Sequence, residues 1–229
     1  MFKFTRLREG VYELRFDDLY ELCMTFLRYQ EFYESPRYQD RKFTLAEYMS
    51  WYVKNQNDKD TFSYPSGDWG GFNIPAEVIG QVHALGIDDP NHYDSLMFAL
   101  YRIMMSESED GKAYLIGVQN DVEGLDDHEM THAMFHLDAT YSNRCMGVLF
   151  ETHPDLLQLL REVLFAKGYT EKTFYDEVQA YLTTGGKIFQ KDGAKEKLEP
   201  FEAGFQKLQE RLKAIHDEHY PKFIAPVTT

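Results

Sequence analysis

Three residues within five positions, His128, Glu129 and His132, have the types and spacing for metal-assisted chemistry. Four residues along a helix rise about 6 Å and make a little over one turn, so the imidazoles of His128 and His132 share a face and can point at one ion. Glu129 lies about 100° round the helix from His128. It can reach a water beside that ion but is poorly placed to bind the ion itself, which suits a general base. Zinc held by two neutral histidines and one carboxylate keeps a position open for water and lowers the pKa of that water towards ~7.

A third protein ligand must come from elsewhere. His136 is eight residues beyond His128, about 12 Å along a straight helix, so it cannot share the ion. Asp138 stands where HExxHxxGxxH/D patterns place their last ligand, but those patterns turn the chain at a glycine and here that position is Phe135. Without the glycine the helix is expected to continue and to carry Asp138 away. Glu177, on a helical stretch spanning residues 172–182, is the remaining acid and the expected third ligand. Asp176 and Asp127 are both candidates to steady the imidazoles.

His128-Glu129-x-x-His132 followed by a downstream helix bearing Glu177 resembles the zincin metallopeptidases, in the gluzincin arrangement of two His and one Glu. The resemblance spans residues 112 to 183. It implies that His128, His132 and Glu177 bind zinc, that Glu129 activates water, and that the substrate is a peptide or protein. Gluzincins carry an acid four residues after the Glu, where this chain has Tyr181. Tyr181 and His136 are the candidates to steady an oxyanion. A strand over residues 113–118, apolar and β-prone, ends about ten residues before His128. Such a strand is expected to offer an exposed edge to an extended substrate.

The elements that must position these residues read as an α+β fold, a mostly helical zincin-like domain with a small β-sheet. Residues 2–8 and 11–16 alternate around Glu9-Gly10 as a hairpin. Asp17 is positioned to cap a helix running to Glu34, Thr44 and Glu47 form a capping box for the next, Pro75 starts a third and Asn91 caps a fourth. Residues 55–73 are rich in Asp, Asn, Ser and Gly and read as a long loop, with Trp69 or Tyr64 as candidates for substrate contact. Gly147 leaves residues 140–150 ambiguous, whereas residues 155–166 carry a clear leucine stripe. Residues 187–200 are charged and weakly apolar, so the chain divides into a metal-binding domain over 1–186 and a segment, 187–229, made of a linker and a C-terminal helix that packs on the same domain. His216 and His219 fall in the last turn of that helix, where a solvated end is expected.

At 229 residues with 43% hydrophobic and 15% aromatic content the chain can bury a real core. A formal charge of −14 argues against a nucleic-acid footprint, which needs a basic surface. Cys23 and Cys145 are far apart and form no CxxC, so neither a disulfide framework nor a cysteine zinc site is expected. No run reaches the ~18 apolar residues of a membrane span, and the start has no signal-peptide core, which points to the cytoplasm. A di-iron carboxylate bundle would need a second ExxH, and no such segment sits on a convincing partner helix. The function expected is zinc-dependent hydrolysis, with another divalent metal as a variant. The alternative is a metal-containing or peptide-binding regulatory protein without turnover.

Overall fold

The expected hairpin forms: β1 (Phe2–Arg8) and β2 (Val11–Phe16) pair antiparallel around Gly10, whose φ of 72° is open to glycine at little cost. In the computed structural model the described residues are 1–55, 61–62, 71–120, 127–185, 187–191 and 193–225. The chain folds as two compact units, Met1–Leu125 and Asp126–Thr229. The division between them falls just ahead of the helix that carries His128 and His132.

In the first unit the hairpin is followed by α1 (Leu19–Glu34), α2 (Leu45–Asn55), β3 (Phe72–Pro75), α3 (Ala76–Leu85), α4 (His92–Glu107) and β4 (Tyr114–Gln119). The sheet order is β1-β2-β4-β3, with β4 parallel to β2 and antiparallel to β3. This corrects the expectation of an open edge at residues 113–118. An uninterrupted apolar run belongs to a strand buried on both faces, and Tyr114 to Val118 are all buried with ladders on both sides. Gly117 is required there: a Cβ would overlap the Phe26 ring, which stacks on Phe72 at 5.1 Å.

Asp18, not Asp17, caps α1, its side chain accepting from the backbone N–H of Glu21 at 3.0 Å. The Thr44–Glu47 capping box is present, with Thr44 N–H donating to Glu47 at 2.7 Å and Glu47 N–H donating to Thr44 Oγ1 at 3.2 Å. Asn91 caps α4 and Pro75 precedes α3, as expected. Trp69 and Tyr64 lie outside the described residues.

The second unit is helical among its described residues: α5 (Asp127–Leu137), α6 (Ala139–Phe150), α7 (Pro154–Phe165), α8 (Phe174–Thr183), α9 (Ala194–Leu198) and α10 (Glu202–Ile224). Gly147 does not interrupt α6. The stretch 187–200 is not a linker. It folds as a 3-10 turn (Lys187–Gln190) and α9, and buries Ile188, Phe189 and Leu198, with Phe189 packed edge-on against Tyr181 and Phe205. A few well-placed apolar residues anchor an otherwise charged segment. Together the two units make the mostly helical α+β architecture with one small mixed sheet.

Candidate metal centre

The centre is built by α5 and α8. Asp127 and Glu129 stand in the first turn of α5, and Asp176 and Glu177 in the first turn of α8, where helix dipoles favour negative charge. Each helix thus gathers acids at its start for local reasons, and the packing of α5 against α8 brings them beside the histidines. His128, His132 and Glu177 each offer one ligand atom, and these atoms all lie within 4.8 Å of one another. His132 Nε2 is 3.2 Å from His128 Nε2 and 3.8 Å from Glu177 Oε1. His132 and Glu177 are buried, and His128 is half-buried. Two His and one Glu around a common point is a donor set that suits zinc and leaves a coordination position over.

The far side of each ring is also engaged. His132 Nδ1 lies 2.9 Å from Asp176 Oδ1, approaching off the ideal line. Asp176 Oδ1 in turn accepts from Gln179 Nε2 at 2.9 Å, and Gln179 Oε1 accepts from the Tyr141 hydroxyl at 2.6 Å. His128 Nδ1 is 3.0 Å from Thr184 Oγ1. Of the two candidate orienting acids, Asp176 is the one that lies against a ring. Asp127 does not: its carboxylate accepts from Tyr220 at 2.6 Å.

The electrostatics follow from this arrangement. Burial disfavours a charged His132, but Asp176 and Glu177, with the bond to Asp176 and the charge of Glu129, outweigh it and hold its pKa well above the ordinary histidine value. Burial, and then the neighbouring His132, push His128 down to about 3, against a hydrogen bond to the Ala180 carbonyl. Glu129 is half-buried on the same helix, close enough for its charge to act on His132.

The rejected ligands are elsewhere. His136 is one turn further along α5 and is not in the group. Asp138 caps α6, accepting from the N–H groups of Thr140 and Tyr141 at 2.9 and 3.0 Å, and it also accepts from His219 at 2.9 Å. It points away as expected, but because α5 stops at Leu137 rather than because the helix continues. Tyr181 places its ring 4.6 Å from that of His128, tilted by 50°, with its hydroxyl 2.8 Å from that of Tyr169. His216 and His219 do not form a solvated end. His216 is buried with Nε2 3.1 Å from Thr131 Oγ1 on α5, and α10 runs on to Ile224.

Thr184, Gln179 and Tyr141 escape a reading of the sequence because each is an ordinary helix or cap residue until the fold brings it to a histidine or to Asp176. The one available signal is spacing: Asp176, Gln179 and Ala180 fall three and four residues apart on α8 and so share a face with its first turn.

No protein-family model, no curated protein and no solved structure matches this chain.

Proposed function

We propose that this chain is a zinc-dependent hydrolase of peptide or amide bonds. The observation that carries the reading is the convergence of His128, His132 and Glu177 donor atoms within 4.8 Å, with Asp176 behind one ring and Thr184 behind the other. A zinc ion bound there would polarise the scissile carbonyl and make a water acidic enough to attack at neutral pH. Glu129 takes the proton from the attacking water and delivers it to the leaving nitrogen, so that bond cleavage releases a neutral amine. Asp176 holds His132 in orientation and supports its basicity. Tyr181, beside His128, is the candidate oxyanion donor. The two free, buried cysteines fit a reducing compartment such as the cytoplasm, and among the described residues no helix is long and apolar enough to cross a membrane.

One observation favours a second reading. Both ladders of β4 are occupied, so the strand nearest in sequence to the metal helix offers no open edge to an extended substrate. A metal-containing or peptide-binding regulatory protein without turnover needs no such edge.

Glu129→Gln separates the two. For a hydrolase, turnover of a peptide library falls about 10²- to 10⁴-fold while zinc content is unchanged, the range for loss of a general base. A regulatory protein keeps partner affinity in that variant. Absence of cleavage by wild-type protein at full zinc occupancy, across a broad library, rules out the hydrolase.

A further inference from the structure

The hydrogens around the two imidazoles can be assigned from what their partners are able to do. The Thr184 hydroxyl donates to the Ala180 carbonyl at 2.7 Å, and a carbonyl can only accept. Having committed its proton, the Thr184 oxygen facing His128 Nδ1 at 3.0 Å can only accept as well, so Nδ1 carries the hydrogen. The same reasoning runs on the other ring. The Tyr141 hydroxyl donates to Gln179 Oε1, which leaves the Gln179 amide N–H to donate to Asp176 Oδ1. Asp176 Oδ1 is an acceptor 2.9 Å from His132 Nδ1, off the ideal line, and a carboxylate oxygen so close favours the hydrogen on that nitrogen.

In their neutral, metal-binding form both rings would turn a bare Nε2 lone pair inward, 3.2 Å apart, whereas without a metal a proton on His132 Nε2 can be shared with His128. Two acceptors at that separation repel unless a cation sits between them. The side chains behind the rings are as decisive as the ligands in front of them. Gln179 is 0% exposed and both ends of its amide are used, so it has little freedom to turn.

We propose that Thr184 and Gln179 are positioning residues that lock His128 and His132 in the Nδ1–H tautomer, so that both Nε2 atoms are presented to one metal ion. Thr184 acts on His128 directly, as the residue that ends α8. Gln179 acts on His132 through Asp176. The inference rests on the metal-centre reading above and adds to it two residues with no donor atom in the ligand group.

The test compares Thr184→Val, which keeps the shape and removes the acceptor, with Thr184→Ser, which restores it. Gln179→Met and His132→Ala complete the set. Zinc affinity is read by competition with a chromophoric chelator, and ring protonation by ¹⁵N-histidine NMR of the zinc-loaded protein. Thr184→Val and Gln179→Met should weaken zinc roughly 10- to 100-fold, the range for partners that orient a ligand, and Thr184→Ser should recover wild-type affinity. Wild-type spectra should show a slowly exchanging Nδ1–H on both rings, with that of His128 exchanging faster in Thr184→Val, where the Ala180 carbonyl is left as its acceptor. The NMR reading of His132 in wild-type protein tests the Gln179 arm even if Gln179→Met fails to fold. If Thr184→Val and Gln179→Met bind zinc as tightly as wild type while His132→Ala does not, the positioning roles fall and the metal centre stands. Protonation on Nε2 of either ring, with zinc on Nδ1, overturns the inference directly. Wild-type affinity in His132→Ala removes the metal centre and the inference together.

Discussion

Each unit of the molecule buries a polar cluster, and the two are built on opposite principles. In the first unit Arg28, 4% exposed, directs Nε to Asp94 at 2.9 Å, Nη1 to the Phe43 carbonyl at 2.7 Å and Nη2 to Asp89 at 3.0 Å. Asp94 closes the capping box of α4, and Asp89 also accepts from the Leu45 N–H at 2.7 Å. Donors meet acceptors throughout, so the cluster is complete in itself. In the second unit the proposed tautomers of His128 and His132, with Glu177, would turn acceptors toward acceptors and direct hydrogens outward to Asp176 and Thr184. A cluster of the first kind ties α1 to the N-termini of α2 and α4. One of the second kind is balanced only by a proton or a metal cation at its centre.

The comparison can be broken most severely at Arg28. Arg28→Ala strands the buried Asp94 carboxylate and should cost about 3–5 kcal/mol, the range for removing one partner of a buried ion pair. A denaturant titration measures it, and zinc affinity should be unchanged. The converse holds in the second unit. Zinc at about 100 times its Kd should stabilise wild-type protein by about 2.7 kcal/mol, through binding to the folded state alone. His132→Ala should gain nothing from the same addition, as read from thermal melts with and without the ion.

Packing offers a smaller contrast, because Gly117 serves the first unit and has no part in the centre. Gly117→Ala should cost about 1–3 kcal/mol by forcing the Phe26 ring off Phe72, again without effect on zinc. A further effect should be shared by both units. Burial pushes the Cys23 and Cys145 thiols from their ordinary 9.0 up to about 12. Unfolded thiols lose their proton near 9 while folded ones keep it, so the unfolded chain binds fewer protons above that pH. Stability is therefore intact below pH 9 and declines as pH rises from 9 towards 12. Denaturant midpoints at pH 8 and pH 10 should differ in that direction, with a smaller difference in the Cys23→Ala, Cys145→Ala variant.

What the sequence discloses of this depends on the range of each interaction. His128 and His132 are legible because i,i+4 spacing on a helix is local, and the capping boxes at Thr44–Glu47 and Asn91–Asp94 are local for the same reason. Glu177 is reachable only by eliminating His136 and Asp138, since nothing local says that α8 will pack on α5. Thr184 and Gln179 are beyond reach, because neither is unusual in a helix and their roles exist only across that packing. The pairing of β4 is half legible. Its unbroken apolar run indicates a central strand, but nothing local says which strands flank it. Residues 187–200 mislead because burial there, among the described residues, rests on Ile188, Phe189 and Leu198, too sparse a pattern to stand out from the charges around them. His216 misleads in the same way, since its burial against Thr131 depends on α10 meeting α5.

The most direct test is a zinc titration of metal-free protein, carried out on wild type and on Glu177→Ala with folding checked by circular dichroism. One ion per chain should bind to wild type, and the variant should lose affinity by more than the roughly 100-fold upper range for orienting partners, because it removes a ligand. No stoichiometric uptake by folded wild-type protein, or equal uptake by both proteins, would contradict the account.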